Sequence, residues 1–217
     1  MSLRTPPFYE NFDGTHCYQC SIRGMLEYFQ PEKVWTWDEM DVLTGKRPNL
    51  YTWLFKSCAD LPELGYEMVV ITDLDIKAFA ENPEQAIRDF YSPEGAADQI
   101  ANTDLASEQA DATRMLQKLG TVTIHHRSYT ADDIRDLLAE GYLVMPQINP
   151  YKLYDKQGYA GHAILLYDID GDDAIFHDSG PGTAQAGARR PLAKFVEAAI
   201  DNGKMEGLIA LRPKQNS

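Results

Sequence analysis

Cys17, His162 and Asp178 are the residues whose types and spacing could do chemistry. Cys17 stands where an apolar-periodic segment begins. Ile22, Met25, Leu26 and Phe29 recur at i, i+3, i+4 and i+7, which predicts a helix from about Tyr18 to Phe29 with one buried face. A helix N-terminus presents unpaired N–H groups and the positive end of the macrodipole, and both favour a thiolate. A cysteine so placed can fall well below its free pKa of about 8.5. A base for it is expected from a hairpin. His162 to Ile169 and Ala174 to Asp178 read as strands around Asp170-Gly171. That pairing sets Asp178 opposite residues 163 to 165, within one or two strand steps of His162. A register shift of one residue would put the two on opposite faces, so the hairpin supports a His–Asp pair without proving it.

Together these are the parts of thiol nucleophilic catalysis. The thiolate attacks a carbonyl carbon, the imidazole protonates the leaving group, and the aspartate fixes the imidazole tautomer. An oxyanion site would use the Cys17 N–H and a side-chain amide, for which Asn11, six residues upstream, is the candidate. His16 and His177 neighbour these positions, but His177 alternates to the face opposite Asp178 and both read as non-catalytic. Cys20 and Cys58 read as packing residues.

The elements that must position these groups follow from local signals. Thr36-x-x-Glu39 is a capping box for a second helix that stops near Gly45. Tyr51 to Leu64 reads as helix and Glu67 to Ile71 as strand. A short β-branched run at Thr121 to His125 precedes a helix capped by Thr130 and ended by Gly141, then a buried strand at Leu143 to Ile148. Pro191 opens a further helix, and Glu206 to Leu211 reads as a strand. Gly24, inside the first helix, is tolerable there if another element packs closely against it.

Composition bounds the rest. At 217 residues with 44% hydrophobic side chains the chain is expected to be one domain, 1–217, with a sizeable core. A formal net charge of −13 argues against nucleic acid or anionic membrane as the main partner. No apolar run approaches the ~18 residues of a membrane span. Three cysteines do not make a disulfide framework, so a reducing, cytoplasmic setting is the expectation. Residues 72–111 carry ten acidic side chains against Lys77 and Arg88. This stretch, extended to residues 72–118, reads as a helical acidic insertion, either a solvated face or a lid or dock for a basic substrate. No metal or cofactor signature stands out. His125-His126 would face opposite sides of a strand, and Gly180-Pro181-Gly182 is a turn rather than a phosphate loop.

The order Cys, His, Asp, with the cysteine opening an N-terminal helix, resembles papain-like cysteine peptidases. Within them the chain is similar to the double-glycine leader peptidases that process bacteriocins. Those have a glutamine six residues before the cysteine, a helix ending in an aromatic pair, and a late His and Asp sixteen residues apart. The chain has Cys17, Tyr28-Phe29, Gly161-His162 and His177-Asp178, with the same separation of sixteen. It departs by Asn11 in place of the glutamine and by His16-Cys17-Tyr18 in place of Asp-Cys-Gly. His16-Cys17, with the loop from Asn149-Pro150-Tyr151 to Gly161-His162-Ala163, also resembles the N-terminal acyltransferase domain of butirosin biosynthesis. The resemblance spans roughly residues 8–45 and 120–212. It implies an α+β, papain-like fold, with the catalytic helix against an antiparallel sheet, and a peptidase or amide hydrolase with a Cys17–His162–Asp178 triad. Its substrate would be a peptide or a small amide or acyl compound, and no cofactor is implied. The rival readings are acyl transfer through a Cys17 thioester, a silent peptide-binding domain, a Cys17-x-x-Cys20 redox pair, and a zinc site.

Overall fold

The computed structural model describes residues 5–118 and 120–215. Strands and helices are mixed, and the sheet is mostly antiparallel. The chain begins with helices α1 (Cys17–Phe29), α2 (Trp37–Thr44) and α3 (Phe55–Asp60), a 3₁₀ turn over Leu61–Leu64, and strand β1 (Tyr66–Thr72). Helices α4 (Ile76–Glu81), α5 (Pro83–Phe90), α6 (Pro93–Ala101) and α7 (Leu105–Gln117) then lead to β2 (Thr123–His126). Next come α8 (Ala131–Ala139), β3 (Leu143–Ile148), α9 (Pro150–Leu153), β4 (His162–Ala163), β5 (Leu165–Asp170) and β6 (Asp173–Asp178). The last elements are β7 (Gln185–Pro191), α10 (Leu192–Ala198), β8 (Ile200–Asp201), β9 (Lys204–Met205) and β10 (Gly207–Pro213).

The main sheet has the order β2-β1-β10-β3-β5-β6-β7, and β4 also pairs with β3. β1 and β2 are parallel, and the acidic stretch is the helical crossover that a parallel pair requires. The other pairs are antiparallel. Strand alternation splits the core into two layers. Leu143, Met145, Ile209 and Leu211 pack with α1, α3 and the crossover helices. Val144, Leu208, Ala210 and Phe176 pack with α8 and α10 on the other side. Central strands covered on both faces explain why Leu143–Ile148 reads as one apolar run rather than an alternating one.

Local signals account for most element ends. Both capping boxes form, Thr36 with Glu39 and Thr130 with Asp133, and Gly45 ends α2 in the left-handed region. Two expectations are corrected. The first helix is buried on all sides, from Tyr18 through Glu27, because it lies between the sheet, α2 and the segment before it. Its polar members are therefore paired internally: Arg23 reaches Glu27 at 3.0 Å and lies over the Tyr9 ring. Helix α3 begins at Phe55 rather than Tyr51. The N–H of Tyr51 bonds Asn102 O and that of Trp53 bonds the Glu108 carboxylate, so the crossover helices hold this segment extended. Gly24 has the close packing its place requires, since a Cβ there would lie 2.8 Å from Leu165 Cδ2 and 2.9 Å from Pro7 O. Among the described residues no helix is long and apolar enough to cross a membrane.

Candidate active site

Cys17 is the first residue of α1, His162 opens β4, and Asp178 ends β6. Pairing of β4 with β3 fixes His162 opposite Ile148. The β5–β6 hairpin pairs Leu165 with His177, so Asp178 follows on the next step, on the parity that leads back to His162. The two side chains meet: His162 Nε2 lies 2.8 Å from Asp178 Oδ1. The His162 side chain also hydrogen-bonds the Cys17 thiol, which takes the backbone N–H groups of Ala163 and Tyr18 as well. The three residues that the sequence singles out therefore form one connected chain.

Their electrostatics follow from that contact. Burial alone would raise the Cys17 pKa, but the bond to His162, its charge and the two backbone N–H groups hold the thiol below its ordinary value. Burial disfavours the charged imidazole of His162. Asp178 and the Cys17 thiolate outweigh it and push its pKa up to about 10. Asp178, despite burial, is held down at about 2 by His162, the Tyr154 hydroxyl and the Gly180 N–H. The contacts thus favour the imidazolium of His162 and the carboxylate of Asp178, and they ease ionisation of the Cys17 thiol beside them.

Two supporting groups were not legible in advance, and a third has a different task from the one expected. The Tyr154 hydroxyl donates to Asp178 Oδ2, and the Gly180 N–H donates to Oδ1 at 2.9 Å. Tyr154 belongs to a loop recognisable as polar and tyrosine-containing, but no spacing rule ties it to Asp178. The third is Asn11, whose task differs from the expected one. Its Nδ2 donates to Gly180 O at 3.1 Å, its Oδ1 accepts the His16 N–H at 2.8 Å, and its own N–H donates to Ser179 O. It is buried and lies outside the cavity wall. Asn11 is therefore a brace between the turn after Asp178 and the residue before Cys17, not an amide presented to an oxyanion. The shorter side chain reaches the backbone on either side of it and is held there.

The neighbouring histidines have other partners. His16 faces Asp13 at 2.8 Å and Asp41 at 3.1 Å, so neither ring nitrogen is left for Cys17. His177 donates Nε2–H to Pro6 O and accepts the Gly187 N–H at Nδ1, and burial lowers its pKa. Cys17, Cys20 and Cys58 are free thiols. Burial pushes the latter two far above the ordinary range, so neither competes as a thiolate. Among the described residues no three His, Cys, Asp or Glu side chains are placed to share a metal ion.

Cys17 and His162 open onto a cavity of about 420 Å³. The Gly180–Pro181 turn and Tyr154 form one wall, and Tyr51 and Trp53 another. Tyr91 and Gln99 bring the acidic crossover into it, and Glu206 lines it from the residue before β10. The sequence matches no protein-family model and no curated protein.

Proposed function

We propose that the chain is a cysteine-dependent hydrolase of papain-like architecture that cleaves a peptide or a small amide or acyl compound. The observation that carries this reading is the unbroken chain Cys17–His162–Asp178 on the wall of a cavity. The thiolate of Cys17 adds to the substrate carbonyl carbon, and the helix N-terminus, with the Cys17 N–H, faces the developing oxyanion. The His162 imidazolium gives its proton to the leaving amine as the C–N bond breaks, leaving a thioester on Cys17. The imidazole then takes a proton from water as its oxygen attacks the thioester, and the thiolate leaves with the carboxylic acid product. Asp178, oriented by Tyr154 and Gly180, keeps the imidazole turned to the sulfur throughout. A cavity of this volume accommodates a small-molecule-sized group, which favours the short end of the substrate range.

The same thioester is open to attack by an amine as well as by water, and acyl transfer is the second reading. Acyl p-nitrophenyl esters and N-acetylcysteamine thioesters test both readings. Hydrolysis predicts burst release of the leaving group and an acyl adduct on Cys17 that decays in buffer, absent in Cys17→Ser. Acyl transfer predicts slow decay and diversion of the acyl group to an added primary amine. A wild-type protein that forms no adduct with any acyl chain length overturns both and leaves a binding domain.

A further inference from the structure

The mechanism above makes no use of Glu206, yet this carboxyl lines the cavity that Cys17 opens onto and is only 6% exposed. Its backbone is pinned, with the N–H on Ala199 O and the carbonyl accepting the Thr72 hydroxyl at 2.8 Å. Its side chain ends a short relay: Gln99 Nε2 donates to the Tyr159 hydroxyl at 3.0 Å, and that hydroxyl donates to Glu206 Oε1 at 3.3 Å. The surrounding charge is mostly of its own sign. Asp201 and Asp98 act on it, and Lys152, 3.8 Å from Asp201, opposes them. Of the basic residues that line the cavity, Lys156 is exposed and His162 is paired with Asp178 beside Cys17. The walls beside Glu206 are aromatic, with Tyr91 edge-on to both Tyr159 and Trp53 at centroid separations of 5.9 and 6.4 Å.

A buried carboxyl with too little positive charge around it, set among aromatic rings, is what an ammonium group requires. The carboxylate supplies charge and hydrogen bonds, and the ring faces add cation–π attraction. We propose that the Glu206 end of the cavity is a subsite for a protonated amine, so that the substrate processed at Cys17 carries one. This rests on the reading of Cys17 as the nucleophile, and it narrows the substrate to amino-substituted acyl or amide compounds. With the cavity empty, burial and the neighbouring carboxylates raise the Glu206 pKa to about 8. An entering ammonium favours the ionised form, so near neutral pH binding expels a proton from Glu206. The acidic crossover then contributes directly to recognition, through Gln99, Tyr91 and the field of Asp98.

Alkyl methanethiosulfonates on spacers of two to six carbons, ending in an ammonium, a methyl or a sulfonate, probe the subsite from Cys17 itself. The thiolate forms a mixed disulfide and releases methanesulfinate, and peptide mass spectrometry assigns the label. At one spacer length the ammonium reagent should modify Cys17 at least about tenfold faster than its methyl counterpart, and the sulfonate slower than both. That preference should grow between pH 6.5 and 8.5 as Glu206 ionises. Glu206→Gln keeps the shape and the neutral charge of the protonated acid. It should bring the preference close to one at every pH while leaving the methyl reagent's rate unchanged. Equal rates for all three reagents at every spacer length overturn the subsite, as does an ammonium preference that survives in Glu206→Gln. The methyl reagent separates the two readings. If it reacts with Cys17 only as an ordinary thiol titrating near 8.5, the nucleophile assignment fails whatever the ammonium preference.

Discussion

Asp178→Asn isolates the contribution of one carboxylate to the charge state of the site. His162 titrates at about 10 because two partners outweigh its burial, and the 2.8 Å bond to Asp178 Oδ1 is the larger of them. Asparagine retains an acceptor oxygen but not the charge. A hydrogen bond involving an ionised group contributes about 1.5–3 kcal/mol, and a neutral one about 1. The net loss is therefore about 0.5–2 kcal/mol, or roughly one pKa unit at 1.36 kcal/mol each. Burial and the Cys17 thiolate are left in opposition, so the imidazolium of the variant should deprotonate nearer pH 9. The sign is fixed by which form each partner favours: Asp178 stabilises only the protonated ring, so removing its charge can only lower the pKa. Ring ¹⁵N shifts of selectively labelled His162 report this titration directly, and thiolate absorbance near 240 nm, with Cys17→Ser subtracted, reports its partner. An imidazole that titrates near its ordinary value of about 6.5 in the wild type would refute the ion pair. So would an upper titration that Asp178→Asn leaves in place.

Three further perturbations test the surrounding structure. Tyr154→Phe removes the hydroxyl donated to Asp178 Oδ2 and should cost about 1.5–3 kcal/mol in urea unfolding at pH 7. The cost should shrink at acid pH as Asp178 protonates in the unfolded chain and then in the native state. Glu108 is buried and its pKa is raised to about 8, so native stability is highest below the unfolded value near 4.5 and falls as pH rises through 8. Glu108→Gln should stabilise the protein at pH 8–9, on the order of 2–4 kcal/mol, and be neutral at pH 4; thermal melts at both pH values decide it. Gly24→Ala improves helix propensity by about 1 kcal/mol yet forces a methyl against Leu165 Cδ2 and Pro7 O. A net destabilisation of about 1–3 kcal/mol in denaturant is expected, and a stabilised variant would contradict the close approach of α1 to β5.

What could be read from the sequence is what neighbours in the chain determine. The helix start at Cys17, the capping boxes at Thr36 and Thr130, and the β5–β6 hairpin all depend on signals within a few residues, and the hairpin, with β4 held against β3, brings Asp178 back to His162. Asn11 was found as a residue but not in its role, because which backbone groups its amide reaches depends on how the Ser179–Gly180 turn folds against it. The inner cavity wall was illegible for a stronger reason. Gln99, Tyr159 and Glu206 lie on three unrelated segments that meet only when the crossover helices dock. Tyr51 and Trp53 read as the start of a helix, and the groups that bond their N–H groups instead, Asn102 O and the Glu108 side chain, are separated from them by the crossover helices.

The sheet order has a consequence for when the two halves of the fold are joined during synthesis. β1 and β3 do not touch; each is hydrogen-bonded to β10, which is contributed by residues 207–213, after every residue of the site. Until that strand leaves the ribosome and inserts, the half of the sheet carrying His162 and Asp178 has no strand-to-strand pairing with the half formed by β1 and β2. Long-range pairing of this kind is slow, since the intervening chain must be ordered before the strand can be held. The two halves of the sheet are thus joined through β10, the strand that hydrogen-bonds both β1 and β3.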